Sequence, residues 1–377
     1  MPAPSPVDPD GLLEYSVVFT ERSLNHMSER FQRVMRDISE TLRRVYGAAA
    51  VVVVPGGGTY GMEAIARQFA GGRRCLVIRD GYFSYRWSQI LEAGGITSDE
   101  VVLPARPAGD GVRAPWAPPP IEEVVAAIRE QEPELVFAAH VDTSSGIILP
   151  AAYIRAVGEA VHAHRGLLVL DCIASGAVRV DMRASGVDVL LTAPQKGWSA
   201  PPSAALVMLG ETAAGRLEET RSTSFAGDLR RWRQIMRAYE DGGHAYHATL
   251  PTDALVRFRD AMLETVERGL DDVERRQWEL GTRVRALLAE HGFPSVAAPG
   301  FEAPGVVVSY TDDPLIRNGR KFAEVGVQVA AGVPLMCDEP AEFSSFRIGL
   351  FGLEKWGDPD GAVAKLRQAL ERLAGAR

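Results

Sequence analysis

The 377-residue sequence holds only three cysteines, Cys75, Cys172 and Cys337, widely spaced and odd in number. They form neither a disulfide framework nor a zinc spacing, and a reducing, cytoplasmic setting suits them. No apolar run approaches the roughly 20 residues of a membrane span. Nor is there a lysine- or arginine-rich block. The net charge of −8 argues against nucleic acid or an anionic membrane as the main partner. The start, MPAPSPVDPDG, lacks the basic and apolar regions of a secretory signal. No internal repeat is visible. What remains is a globular composition, 46% hydrophobic and 24% charged, long enough for a large core and two domains.

Residues 1–14 read as a flexible arm. Ser28 to Tyr46 reads as an amphipathic helix, with Phe31, Val34, Met35, Ile38, Leu42 and Val45 three or four apart, stopped by Gly47. Short apolar runs follow at Val51–Val54, Cys75–Ile78, Val101–Leu103, Leu135–Ala139, Leu167–Leu170, Val187–Thr192 and Ala204–Leu209. Helical stretches alternate with them near 61–70, 84–93, 120–131 and 151–165. This alternation predicts an α/β fold, a mostly parallel seven-stranded sheet with helices on both faces. Sites in such sheets form at the carboxyl ends of the strands. The proline-rich Ala105–Pro120 reads as a loop.

From about residue 252 the pattern changes. Asp253 to His291 is a long charged, helix-rich stretch. Strand candidates follow at Gly305–Tyr310, Val327–Ala330 and Phe346–Leu350, with a last helix from Asp360 to Leu373. This predicts a smaller C-terminal α+β domain. The divisions are an arm and pocket segment at 1–27, a large domain at 28–250, and an interdomain helix with a small domain at 251–377.

The chemistry concentrates in LLVLDCIASGAVRVDMRASGVDVLLTAPQKGWSAPPSAALVML. One strand ends on Asp171. A second runs into Lys196, in a turn of small residues, before a third. An acid and a lysine on one sheet edge suit pyridoxal phosphate (PLP). Its aldehyde needs an amine to hold it as a Schiff base, and its pyridine nitrogen needs a carboxylate to keep it protonated. The bland alternative is a buried strand-end acid and a surface lysine.

The stretch VVVVPGGGTYGMEA runs from strand through glycines into helix, which suits a phosphate. Gly56 to Gly61 also satisfies G-x-G-x-x-G, and Asp80 follows 19 residues later at the end of the next strand. That matches a dinucleotide fingerprint, and with it a nicotinamide-dependent dehydrogenase. Pro55 is unusual for the tight dinucleotide turn, and that reading leaves Asp171 and Lys196 without a role.

From about residue 28 onward, the motifs GGGTYGMEA, DGYFSYRW, HVDTSSGIILP, VLDCIAS, APQKGWSAPPS, YHATLPTDAL and FRIGLFG occur in order. In this order the chain resembles the class V aminotransferases of PLP fold type I. It is most similar to the alanine–glyoxylate, serine–pyruvate and 2-aminoethylphosphonate branch.

The resemblance implies a PLP-dependent aminotransferase moving an amino group from a small amino acid, of alanine or serine type, to a 2-oxo acid such as glyoxylate or pyruvate. It implies that Lys196 carries the Schiff base and moves the substrate proton, and that Asp171 pairs with the ring nitrogen. Phe83 stacks on the ring; Gly57, Gly58, Thr59 and Gln195 hold the phosphate; Thr143 bonds the ring hydroxyl. Tyr246 and Thr249 reach the phosphate of the neighbouring subunit, making a homodimer with shared active sites. Arg347 grips the substrate carboxylate.

Each role has a plainer rival. Phe83 could be core, Arg347 could pair with a structural acid, and Tyr246 and Thr249 could start a helix before Pro251. His244 and His247 have the spacing of a metal pair, but no third ligand is evident, so no metal is expected.

The chain also departs from the branch. YSVVFTERSLNHMSERF stands where a Gly-Pro-Gly-Pro segment usually shapes the pocket, and Asn25 and His26 are the pocket candidates there. Asp142 stands in place of the usual glutamate, and Pro194 in place of a serine. The rival within the fold is a PLP-dependent lyase or desulfurase. Such relatives usually carry histidine before the lysine, where this chain has Gln195, and a reactive cysteine, for which Cys337 is the candidate.

Overall fold

A computed structural model describes residues 7–375. The expected arm therefore lies partly outside the described residues, at 1–6.

Helix α1 (Glu29–Tyr46) forms as its pattern dictates. Phe31, Val34, Met35, Ile38 and Leu42 lie on one buried stripe. The Ser28 side chain accepts from the Phe31 N–H at 3.1 Å, a cap worth about 1 kcal/mol. Gly47 ends the helix at φ +67°, a conformation that glycine adopts without a Cβ penalty.

The chain then alternates between strand and helix. The elements are β1 (Ala50–Pro55), α2 (Gly58–Phe69), β2 (Cys75–Arg79), α3 (Tyr82–Ala93), β3 (Glu100–Pro104) and α4 (Ile121–Gln131). They continue through β4 (Leu135–Ala139), α5 (Ala151–His162), β5 (Leu167–Asp171), β6 (Val189–Thr192) and β7 (Ala204–Leu209). The seven strands form one sheet in the order β1-β7-β6-β5-β4-β2-β3. Only β7 runs antiparallel, lodged between β1 and β6 with Val207 opposite both Val52 and Leu191. Every residue of β4 to β7 is buried, which explains their unbroken apolar runs. The expected α/β fold with a mostly parallel seven-stranded sheet is present.

Helices α6 (Leu229–Glu240) and α7 (Thr252–Glu267) add to the same core through Trp232, Met236, Leu255, Phe258 and Met262. Helix α8 (Leu270–Glu290) starts a second core with Val273, Leu280, Val284 and Leu287. The charged stretch is thus two helices, separated at Arg268–Gly269. Gly269 holds φ +88°, outside the helical region.

The small sheet pairs β8 (Val306–Tyr310) with β10 (Ser345–Gly349), which also pairs with β9 (Ala330–Ala331). Helix α9 (Pro359–Gly375) packs beside it. The strand expected at Val327–Ala330 shrinks to two residues, because Val327 and Val329 pack against the small core instead of joining the ladder. The proline-rich loop holds a two-residue pairing, Arg106–Pro107 with Trp116–Ala117. Trp116 packs with Ile147, Val308 and Tyr310 in a third cluster that ties this loop to the small sheet.

Candidate active site

The carboxyl ends of β1, β2, β4 and β5, and the turn after β6, converge on one pocket of about 140 Å³. Gly58, Thr59, Phe83, Thr143, Asp171, Gln195 and Lys196 line it.

At the end of β1 the chain turns into α2 through three glycines, of which sterics require two, Gly56 and Gly58. A Cβ on Gly58 would lie 2.2 Å from the Ile173 Cδ1, and one on Gly56 would lie 2.7 Å from the Tyr60 ring. Gly57 caps α2 and offers no side-chain bond. The Tyr60 N–H bonds the Gly57 carbonyl at 2.9 Å, so the Gly58 and Thr59 N–H groups are the ones left for an external anion.

At the end of β2, Gly81 brings the backbone tight against Asp142 and Ser144. A Cβ there would lie 2.1 Å from the Ser144 Oγ. Asp142 then organises the start of α3. Its Oδ2 accepts from the Phe83 N–H (3.1 Å), the Ser84 N–H (2.8 Å) and the Ser84 hydroxyl (2.8 Å). Its Oδ1 accepts from the Ser144 N–H (2.9 Å) and hydroxyl (2.6 Å). This saturated carboxylate aims the Phe83 ring. Two guanidiniums sit against that ring, Arg86 at 5.2 Å and Arg347 at 5.4 Å from its centroid. Arg86 also donates to the Thr59 hydroxyl at 3.0 Å, tying α3 to the glycine turn.

Asp171 ends β5 and is buried. Burial pushes its carboxyl up to about 6, against the opposing pull of the Ile173 N–H (2.8 Å) and of Lys196. Lys196 is one of only four lysines in the chain. Burial lowers its pKa; Asp171 opposes this, while Arg347 and Arg86 push the same way as burial. Gln195 leaves its buried Oε1 without a partner among the described residues. Arg347, on β10, stands beside the pocket. Its Nε donates to the Ala331 carbonyl at 2.8 Å and its Nη1 reaches the Thr143 hydroxyl at 3.5 Å.

Four expected residues gather elsewhere and do not line this pocket. The Asn25 amide donates to Glu14 (2.7 Å) and Ser16 (3.1 Å). The His26 ring is buried beside Phe19, His244 and Tyr246, with centroids 5.5 to 5.9 Å away. Tyr246, half exposed, shares a hydrogen bond with Thr249 at 3.1 Å. His247 bonds the Phe225 carbonyl at 2.9 Å and packs on Trp232, so it does not face His244 as a metal pair.

Two rival chemistries lose their footing. Asp80 is fully buried and cannot reach a ribose, so the dinucleotide fingerprint is only a resemblance of letters. Cys337 is also buried. Its thiol donates to the Arg79 carbonyl at 3.3 Å, and burial pushes its pKa above the ordinary thiol value. That is the opposite of an activated thiolate.

Sequence reasoning missed Arg86, which lies three residues after Phe83, the spacing that puts two side chains on one helix face. It also missed Ile173, the wall behind Gly58, for which the sequence carries no signal. The residues present fit PLP. There is a buried acid facing a lysine, an aromatic ring between cations, and a glycine cradle that a single Cβ would fill.

The family model described as aminotransferase class-V matches residues 11–309. The alanine–glyoxylate aminotransferase of Rattus norvegicus is 25% identical over 383 residues, covering 98% of this chain and 86% of the relative. The L-aspartate–glyoxylate aminotransferase of Paracoccus denitrificans is 29% identical over 275 residues, covering 72% of this chain and 66% of the relative. A crystal structure of alanine–glyoxylate aminotransferase from Nostoc sp. superposes with a TM-score of 0.78 at 24% identity, covering 93% of this chain and 89% of that one, a likeness of fold. With an acid and a lysine lining one pocket and the family model spanning most of its length, the chain belongs to the class V aminotransferase family and is a PLP-dependent enzyme of that type.

Proposed function

We propose that this enzyme moves an amino group from a small amino acid of alanine or serine type to a 2-oxo acid such as glyoxylate or pyruvate. The observation that carries the reading is the convergence of Lys196, Asp171, Phe83 and Gly58 on one pocket. PLP, when bound, supplies an electron sink that makes the substrate Cα proton removable.

The chain's residues do the rest. Gly57, Gly58, Thr59 and Gln195 hold the phosphate, and Thr143 bonds the ring hydroxyl. Phe83 covers the ring face, held at its angle by Asp142. Asp171, with a carboxyl at about 6, is largely ionised at neutral pH and holds a proton at the ring nitrogen. Lys196 receives the Cα proton and returns it; its lowered pKa makes the free amine more available than in an ordinary lysine. Arg347 binds the substrate carboxylate through a planar fork that lysine cannot reproduce.

A homodimer with shared sites accounts for the second cluster. Tyr246 and Thr249 then complete the phosphate site of the partner, with Asn25 and His26 beside them shaping its pocket. Support comes from the N-terminal segment, where Leu12, Leu13, Tyr15 and Val17 are 87–102% exposed. Such an apolar stretch fits a surface covered in an assembly. The divisions 1–27, 28–250 and 251–377 and a cytoplasmic location belong to the same reading. The second core that begins at Val273 supports a separate C-terminal unit, although α7 packs on the first core, and the free buried cysteines support the location.

The test is a half-reaction followed by absorption. The purified protein, loaded with PLP, is mixed separately with alanine, serine, aspartate, 2-aminoethylphosphonate and cysteine. Bleaching of the visible band by alanine or serine, and its return with glyoxylate or pyruvate, is the expected result. Bleaching by aspartate or the phosphonate alone would replace the donor. Release of pyruvate, ammonia or sulfide without bleaching would overturn transamination.

A further inference from the structure

Asp80 is the acid that the function leaves unused. It closes β2, directly before the turn that carries Phe83 and Arg86, and is wholly buried. Its backbone N–H donates to the Ser84 hydroxyl at 2.8 Å, yet neither carboxyl oxygen has a partner among the described residues. Its chain neighbour Arg79 sends its guanidinium to Ser88 (2.8 Å) and the Met336 carbonyl (3.3 Å) instead. The titratable groups around it are Asp142, Tyr153 and Cys337. Asp142 takes five donors, whereas the Asp80 carboxyl takes none among the described residues. Tyr153 gives its hydroxyl to the Pro119 carbonyl, and Cys337 its thiol to Arg79.

We propose that Asp80 is a positioning residue that sits beneath the Phe83 turn as a neutral carboxylic acid, and that ionising it loosens the turn. An ion in that place, shut off from solvent, has no counter-charge and no donor among the described residues, which makes the ionised form the expensive one. A second like charge beside Asp142 would also compete for the geometry that holds Phe83 and Ser84. Burial and Asp142 both favour the protonated form of Asp80. Neutrality here adds no further negative charge to the side of the pocket that holds Lys196, Arg86 and Arg347.

The sign of the linkage is definite. In the unfolded chain Asp80 loses its proton near about 3.9, while in the folded chain it keeps it. Unfolding therefore releases a proton, and folding stability falls as pH rises above that value. Asp80→Asn, neutral at every pH, removes this slope. In the full chain without PLP, the unfolding constant of the parent relative to D80N should grow by about tenfold per pH unit between pH 5 and 7. A ratio that stays flat overturns the proposal.

With PLP bound, circular dichroism of the cofactor band should fall away at alkaline pH in the parent and persist to higher pH in D80N. Identical alkaline limbs would overturn the positioning role. Should D80N not fold, isotope-edited infrared of the parent decides. A protonated-acid carbonyl band at neutral pH supports the proposal, and its absence refutes it. The positioning role rests on the PLP reading, but the unfolding arm needs no cofactor, so the two can fail separately.

Discussion

The pocket around Lys196 and the cluster around Tyr246 are opposites. The pocket is assembled by five strand ends of one rigid sheet, and its side chains are braced by a saturated carboxylate, a short glycine turn and a helix start. The cluster sits on loops between α6 and α7 and on the N-terminal segment, with Tyr246 54% exposed and its hydroxyl bonded to Thr249. One region draws its side chains onto a single sheet edge; the other leaves Tyr246 half exposed on the surface of the chain. Proximity in sequence to a motif therefore does not imply membership of the same cavity.

The comparison breaks most sharply at Lys196. Lys196→Ala should lower turnover by about 10²–10⁴-fold or more, as expected for loss of a positioned base, and should abolish stable cofactor retention. Mixing it with a Tyr246→Ala, Thr249→Ala double variant should restore activity if the cluster serves the partner's pocket. Co-expression followed by a rate assay checks this, and no recovery would confine both regions to separate roles.

Arg347→Lys should raise KM for the amino acid by roughly 10- to 150-fold, the loss of about 1.5–3 kcal/mol of charged hydrogen bonding, with a smaller effect on kcat. Steady-state kinetics separates the two.

Asp171 offers a pH test. Its folded pKa of about 6 lies above the unfolded value, so ionisation destabilises the apoprotein as pH climbs from about 4 through 6. Asp171→Asn apoprotein should be more stable than the parent at pH 7 by roughly 2–3 kcal/mol, and equal to it below pH 4. PLP should bind the variant less tightly. Chemical denaturation at several pH values measures the first effect, and a cofactor titration the second.

Removing only the Tyr246 hydroxyl (Tyr246→Phe) should weaken PLP by about 0.5–1.5 kcal/mol, a factor of roughly 2 to 12. The smallest effect is expected at Cys337. Cys337→Ser should leave transamination within about twofold and release no sulfide chemistry, because the buried thiol has no part in the pocket. A large loss there would reopen the lyase reading.

The sheet was legible because strands buried on both faces read as continuous apolar runs, as in Leu135–Ala139 and Ala204–Leu209. Asp171 was legible because it ends such a run at the carboxyl edge, and Lys196 because it stands in the turn of small residues between two such runs. Other features depend on contacts between distant segments. Nothing near Ile173 announces that it will fill the space beside Gly58. Nothing near Val327 says that it will join the small core rather than the ladder. Asp80 offered a decoy because its spacing from the glycines matches a ribose ligand, while the groups it is buried beside include Asp142 and Cys337, 62 and 257 residues away. Arg86 was within reach of a helical-spacing argument.

The antiparallel strand β7 has a consequence for how the molecule comes together. It sits between β6, a few residues upstream, and β1, whose Val52 precedes its partner Val207 by 155 positions. The Lys196 turn is the link between β6 and β7, so its geometry is complete only once that long-range slot is filled. Pairings across such separations are the slow ones in folding, since loop-closure entropy must be met before the ladder forms. During refolding or synthesis, cofactor capture should therefore be a late event, lagging helix formation, and a visible absorbance band would report a sheet that has already closed.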